Sequence, residues 1–415
     1  MKEVRVAGRF RKFLVASLVV LFTAGLGPVG ARADTDPIAF LRGQILKALT
    51  GSTAHLQGFY VSLSGLRGGA QLNAGVPLVP ASNEKVFTGL AALLQLTPDL
   101  QLVTVVRRTG PVSGGVLSGD LVLQGVGDPL LSQYALNAMA RRVADAGVRR
   151  VTGSLWAYDG RYDRLRTAPG WKPYTVPDDI GPLSALAVGE NAWRKDPAFI
   201  RDPATANANW FRSMLAKFGV RVVGPTRLGR PHAYASVLTG HPSQTTRSLV
   251  RRMLKVSDNF VAEELLKEVG TRPHVQGTTA GGISVLWQWA AKLGLSAGQA
   301  YDGSGLSWWD RVTPRYEVRW LRAAERSSVG ADFVASLPIA CVDGTLKDRF
   351  CHTPAAGKVF AKTGTLSSVV SLAGYTTTAS GRHVRFSFIL NHVDSILSAR
   401  EAIDRAVIAI VRFAA

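Results

Sequence analysis

The sequence predicts an α+β fold in which one antiparallel sheet, flanked by helices, is built from both ends of the chain and interrupted by an inserted α/β domain. Three patterns predict it. Strand-like segments near the N-terminus (58–63, with 67–73 returning) are matched by three alternating segments near the C-terminus (359–363, 369–377 and 383–391). The stretch 243–325 between them is dominated by helical periodicity. From residue 101 to 237, strands and helices alternate as they would in a unit of their own. The expected division is therefore a leader over 1–33, a discontinuous main domain over 34–100 and 238–415, and an insertion over 101–237.

The elements follow in order. Asp36-Pro37 opens an apolar-periodic helix through Ile38, Leu41, Ile45 and Leu49. After the first strands, 82–96 is helical, with Val86, Leu90, Leu93 and Leu94 on its apolar side. The insertion should hold strands at 102–107, 115–124 and 155–158, with helices at 131–146 and 207–218. Pro169, Gly170, Pro173 and Pro177 make 160–180 an ordered loop. Helical pattern resumes at 243–269 with one break near Ser257, and continues at 282–293 and 314–325. The segment 395–413 closes the chain as an amphipathic helix.

Composition sets the outer bounds. The 415 residues are 47% apolar and 19% charged, which excludes a disordered chain, a coiled coil or a disulfide-framework miniprotein. Lys and Arg number 49 against 29 Asp and Glu, a formal charge of +20, so the chain should be drawn to polyanions of some kind. The N-terminus narrows which kind. Lys2, Arg5, Arg9, Arg11 and Lys12 precede an apolar run over 13–26 and the small-residue site Ala31-Arg32-Ala33, the pattern of a cleaved secretory leader, with a short uncleaved anchor as the alternative. Loss of 1–33 removes six Lys and Arg and one Glu and leaves +15. Export argues against a nucleic-acid partner.

Cys341 and Cys351 stand ten apart and, in an oxidising compartment, either form one disulfide or remain as two buried thiols. The seven His show no metal-ligand spacing, so neither a metal nor another cofactor is expected.

Three short patterns carry chemistry: Ser82-Asn83-Glu84-Lys85, Ser257-Asp258-Asn259 and Lys362-Thr363-Gly364. Taken singly, each has an ordinary structural explanation as a helix cap or a glycine-bearing strand. Together they have another. Lys85 lies one helical turn from Ser82, so a neutral amine there could take the serine proton. Burial and a second cation, for which Lys362 is the candidate, would favour that neutral form. Ser257 could relay a proton between Lys85 and a leaving amine, while the Asn259 amide holds Lys85 and a substrate amide. The strand carrying Lys362, Thr363, Gly364 and Thr365 could accept a peptide along its edge, with a terminal carboxylate facing Lys362 and the threonine hydroxyls. The ordered trio is a signature of class A β-lactamases and penicillin-binding proteins.

With Pro80-Ala81-Ser82, Gly127-Asp128-Pro129, Ala168-Pro169-Gly170-Trp171, Asp302-Gly303-Ser304-Gly305-Leu306-Ser307, Leu337-Pro338, Asp343-Gly344-Thr345-Leu346 and Leu372-Ala373-Gly374-Tyr375 added, the chain resembles the class C low-molecular-mass penicillin-binding proteins, the D-alanyl-D-alanine carboxypeptidases and endopeptidases. The resemblance covers most of the chain after the leader. It implies a transpeptidase-type fold, shared with serine β-lactamases, in which a helical subdomain accompanies the sheet. It also implies acylation of Ser82 by peptidoglycan stem peptides, with Lys85 as base and backbone N–H groups of Ser82 and Thr365 as oxyanion hole. β-Lactam antibiotics would acylate the same serine as covalent inhibitors.

Only 175 positions separate Ser82 from Ser257, which implies that a small third domain common within the group's insertion is missing or reduced. Asp163 is the candidate to meet the amino end of the stem-peptide side chain; a solvated loop aspartate is the alternative. A serine β-lactamase and a non-catalytic murein-binding protein are the competing readings. The long insertion and the lack of a clear loop acid disfavour the first, and the intact trio disfavours the second. The positive charge suits peripheral association with an anionic cell envelope.

Overall fold

The computed structural model describes residues 36–231, 236–273 and 275–414; the expected leader, His232 and His274 lie outside the described residues. The principal sheet has five antiparallel strands in the order Phe360–Leu366, Val369–Thr377, His383–Val393, Ala54–Leu63 and Ala70–Leu72. The chain ends meet in its middle, where Phe59 faces Phe388 and their rings stack with centroids 5.6 Å apart.

Side chains alternate across this sheet, and both faces are covered. Phe388 and Leu390 point into a core shared with helices Pro37–Leu49 and Ile396–Arg412, through Leu41, Ile45, Ile403, Val407 and Ile410. Ile389, between them, points into a second core with helices Glu84–Leu96, Thr246–Val256, Asn259–Val269, Thr279–Lys292 and Pro314–Arg326. Double coverage explains why Val369–Thr377 is buried along nearly its whole length instead of at alternate positions. Each large apolar side chain so buried contributes about 1.5–3 kcal/mol.

The inserted segment makes two sheets. The larger, in the order Thr226–Leu228, Leu155–Tyr158, Leu121–Gln124, Val103–Arg108 and Ser236–Pro242, is parallel among its first three strands and antiparallel beyond them. Helices Gln133–Asp145 and Pro203–Lys217 pack on an apolar core with Leu121, Leu123, Leu136, Leu155 and Phe211.

Three expectations are corrected. The insertion extends to Pro242 rather than 237, because Ser236–Pro242 pairs with Val103–Arg108; that strand is half exposed and contains Ser, Thr, Gly, His and Pro, so it carries little strand signal. The single strand expected over 115–124 is two, because Val116–Leu117 pairs with Arg150–Val151 in the smaller sheet and Leu121–Gln124 crosses to the larger. The second inserted helix starts at Pro203, earlier than 207, since the Asp202 carboxylate accepts the Thr205 N–H as its N-cap. Between Asn191 and Pro203, the only regular element is a five-residue helix, Pro197–Arg201.

Candidate active site

Ser82 sits in a 3-10 turn, Ala81–Asn83, that leads into helix Glu84–Leu96. The turn is fixed before the helix begins. Ala81 is held at φ +51°, an uncommon conformation for a residue with a β-carbon. The Asn391 side chain accepts from Val79 N–H at 2.9 Å and donates to Val79 C=O at 3.0 Å, and Ser371 Oγ donates to Pro80 C=O at 2.6 Å. Two glycines let neighbouring backbone close over this turn. A Cβ on Gly305, which has φ +78°, would stand 1.9 Å from Ala81 O, and one on Gly364 would stand 2.1 Å from Ser371 Oγ.

Lys85, fully buried, lies one turn along. Its Nζ is 3.0 Å from Ser82 Oγ, 2.8 Å from Asn259 Oδ1 and 2.5 Å from Ser304 O. Burial lowers its pKa to about 8, against the opposing pull of Asp302, Glu263, Asp258 and Glu84. At that value a substantial fraction is neutral near physiological pH and can accept the Ser82 proton.

The second motif occupies the junction of two helices. Ser257 ends Thr246–Val256 in the left-handed conformation (φ 61°, ψ 39°), and Asp258 caps Asn259–Val269 by accepting Val261 N–H. The cap role and the chemical role thus fall on adjacent residues. Ser257 Oγ accepts from Lys362 Nζ at 2.9 Å, while Asn259 faces Lys85. On strand Phe360–Leu366, Lys362 is fully buried and also donates to Thr363 C=O at 2.6 Å. Burial drives its pKa well below the usual range, and the charge of Lys85 depresses it further.

At Lys85 burial is the largest cause of the lowering, and the effect of a neighbouring cation falls on Lys362, which feels the charge of Lys85. Lys362 has no carboxylate among the groups that set its pKa, whereas Lys85 has four.

The third motif is braced from behind. Thr363 Oγ1 donates to Thr345 Oγ1 at 2.8 Å, and Asp343, two residues before Thr345, receives Lys255 Nζ at 2.6 and 2.7 Å. A disulfide joins Cys341 to Cys351 (S–S 2.02 Å) across this bracing segment. Thr365 is exposed at the cleft edge. Ser82, Lys85, Ser257, Asn259, Lys362 and Gly364 therefore converge on one place, while Thr363 and Thr365 follow Lys362 along its strand.

Asp163 does not present a free carboxylate. It is the counter-ion of Lys267, whose side chain is only 1% exposed, so engaging a substrate amine would strand a buried ammonium. The sequence reading also assigned no role to the loop Asp302–Ser307, although it supplies the Ser304 carbonyl that Lys85 touches. A backbone acceptor leaves no mark in a side-chain pattern; the adjacent glycines and the buried aspartate were the available signal. Among the described residues, no group of His, Cys, Asp or Glu could hold a metal ion, and no helix is long and apolar enough to cross a membrane.

The chain has relatives among known proteins. Residues 68–196 and 192–412 match the model of the D-Ala-D-Ala carboxypeptidase 3 (S13) family. A D-alanyl-D-alanine carboxypeptidase of Actinomadura sp. (strain R39) is 31% identical over 402 residues, 77% of this chain and 74% of that one. A carboxypeptidase of Mycobacterium tuberculosis is 31% identical over 92% of this chain and 82% of its own. In structure, penicillin-binding protein 4 of Haemophilus influenzae superposes with a TM-score of 0.79 at 22% identity, covering 87% of this chain and 98% of that one, so the fold is shared. With the family model spanning most of the sequence and a relative 31% identical over 92% of it, the chain belongs to the D-Ala-D-Ala carboxypeptidase 3 (S13) family of serine peptidases.

Proposed function

We propose that this protein is an exported D-Ala-D-Ala carboxypeptidase that also opens peptidoglycan cross-links, acting through an acyl-enzyme on Ser82. The observation that carries the reading is the contact of Lys85 Nζ with Ser82 Oγ, 3.0 Å apart, in a cleft dry enough to bring the lysine pKa to about 8.

Neutral Lys85 takes the Ser82 proton as Oγ attacks the carbonyl carbon of the penultimate D-Ala. The oxyanion is received by the N–H groups of Ser82 and Thr365, where losing one donor typically costs about 2.7–4 kcal/mol. The terminal carboxylate lies against Lys362 and the hydroxyls of Thr363 and Thr365. That carboxylate supplies the negative charge that Lys362 otherwise lacks, and so favours its ammonium form. Lys362 can then replenish a proton that Ser257 Oγ gives to the leaving nitrogen, a route supported by their 2.9 Å contact. As the tetrahedral intermediate collapses the C–N bond breaks, the protonated amine leaves and an ester remains on Ser82 Oγ. Water then attacks that ester, the C–O bond breaks, Ser82 Oγ recovers a proton from the Lys85 ammonium and the shortened peptide leaves as a carboxylate.

When the leaving group is D-Ala the reaction is carboxypeptidation, and when it is the side-chain amine of a second stem peptide it is endopeptidation. A β-lactam presents the same acyl carbon and carboxylate and would acylate Ser82. The leader pattern supports export, and the remaining positive charge supports retention at an anionic envelope that salt would weaken.

Purified protein incubated with fluorescent penicillin and with a D-Ala-D-Ala stem peptide should show long-lived Ser82-dependent labelling and release of D-Ala. Rapid turnover of penicillin would point instead to a β-lactamase. Absence of both activities would overturn the enzymatic reading.

A further inference from the structure

A neutral lysine has two N–H bonds and one lone pair, yet Lys85 Nζ has three oxygen neighbours. Two of them, Asn259 Oδ1 and Ser304 O, are carbonyl oxygens that can only accept. If both take an N–H, the lone pair is left facing Ser82 Oγ. The Ser304 carbonyl is therefore as much a determinant of the base's direction as the asparagine, and what aims that carbonyl becomes a question about the mechanism.

Two fully buried carboxylates grip the backbone on either side of it. Asp302 Oδ1 accepts Gly305 N–H at 2.7 Å. In a trans peptide the N–H of Gly305 and the C=O of Ser304 point in opposite directions, so fixing one aims the other. Asp302 Oδ2 accepts from Ser307 N–H at 2.7 Å, Trp171 Nε1 at 2.8 Å and Ser304 Oγ at 3.2 Å. Glu263, on helix Asn259–Val269, uses Oε1 to accept Gly303 N–H at 2.9 Å and Ser304 N–H at 2.8 Å, and Thr88 Oγ1 donates to Gly303 C=O at 2.8 Å.

We propose that Asp302 and Glu263 are positioning residues for the general base: they lock the 303–305 backbone so that the Ser304 carbonyl takes one N–H of Lys85 and its lone pair is directed at Ser82. The inference rests on the reading of Lys85 as the base for Ser82. Neither carboxylate touches substrate; each acts through backbone. The charged groups around the base are Glu84 on its own helix, Asp258 at the neighbouring N-cap, Lys362 on the strand opposite, and these two acids.

Two isosteric substitutions replace a buried acid by its amide but leave different hydrogen bonds. Glu263→Gln keeps an acceptor oxygen for both N–H groups. Asp302→Asn places an NH2 against backbone and indole N–H donors and must lose part of its grip. The rate of acylation by fluorescent penicillin is measured against pH on protein whose folding is checked by thermal melting, with Ser82→Ala alongside. Where ionised, each acid raises the proton affinity of Lys85, so the acidic limb of the profile should move to lower pH than wild type. For Glu263→Gln the move should be only slight, because burial raises Glu263 to about 8 and keeps it largely protonated below that pH. The plateau should stay within about threefold of wild type for Glu263→Gln and fall about 100-fold for Asp302→Asn, the loss typical of a misaligned catalytic group.

A wild-type plateau in folded Asp302→Asn, or equal plateau losses in the two variants, would overturn the inference, the second because keeping the backbone acceptor would then make no difference. If Asp302→Asn does not fold, Glu263→Ala takes its place: a plateau loss of similar size supports the inference, and a wild-type plateau overturns it. Labelling that survives in Ser82→Ala would instead overturn the underlying assignment of the nucleophile.

Discussion

The main domain and the insertion are both held together by apolar burial, yet they treat charge differently. The insertion packs Leu123, Leu136, Leu155, Phe211 and Met214 into a core whose neighbourhood contains few buried ionisable side chains, Asp128 and Asp159 among them. Asp159 is paired with Arg166 at 3.1 Å. The main domain buries Glu84, Lys85, Lys255, Glu263, Glu264, Lys267, Glu268, Asp302, Asp310, Glu317 and Lys362. Withdrawing so many charges from water is costly and is tolerated only where partners are supplied. Its result is proton affinities shifted toward neutrality: Lys85 comes down to about 8, while burial pushes Glu263 and Glu264 up to about 8 and Glu317 to about 7. Most of the shifted groups lie in one region, and the other reaches them at its edge, where Trp171 Nε1 donates to Asp302.

The contrast can be broken most directly at the nucleophile. Ser82→Ala should abolish penicillin labelling while leaving the melting temperature nearly unchanged, since Ser82 is half-buried in a turn held by other groups. Residual labelling would show that a second nucleophile operates.

Lys85→Ala should lower acylation by about 10²–10⁴, the usual contribution of a general base. In the wild-type protein the lowered pKa means that the neutral form grows as pH rises through about 8, so acylation should climb between pH 7 and 9. A flat profile over that window would show that proton removal by Lys85 does not govern the rate.

In the insertion, Phe211→Ala should cost about 3–5 kcal/mol of stability, because a fully buried ring is replaced by a cavity. Acylation per folded molecule should be unchanged. A parallel fall in the acylation of folded protein would mean that the insertion shapes the cleft and would collapse the distinction drawn here.

The smallest effect concerns the pH dependence of stability. Carboxyl groups whose folded pKa is raised bind protons more tightly in the native state, so they favour folding below their unfolded pKa and that contribution is lost as pH rises. With Glu263, Glu264 and Glu317 raised to about 7–8, the melting temperature should decline between about pH 5 and pH 8. Glu264→Gln should flatten that decline, whereas Asp178→Asn, at an exposed carboxylate, should not.

Much of this was readable before folding was considered. Periodicity located helices Glu84–Leu96, Asn259–Val269 and Pro314–Arg326 and the three C-terminal strands to within a few residues. The three-residue spacing of Ser82 and Lys85 makes their proximity legible, although Ser82 lies in a 3-10 turn just outside the helix, held there by Asn391 and Ser371. The weakly patterned strand Ser236–Pro242 was not readable, because its place is decided by the partner Val103–Arg108, more than a hundred residues away. The pairing of Asp163 with Lys267 was equally hidden, since neither residue type distinguishes a substrate contact from an internal ion pair.

The sequence by itself determined the candidate reactive residues, the order of the motifs and the alternation that builds one sheet from two chain ends, because those depend on side-chain chemistry and on short-range periodicity. Tertiary structure alone decided the protonation behaviour of the site and the direction of its base. Burial depth sets how strongly each lysine resists charging, and the Ser304 carbonyl is aimed by buried carboxylates from a distant helix and its own loop. Both are consequences of which atoms meet in three dimensions, about which spacing along the chain says nothing.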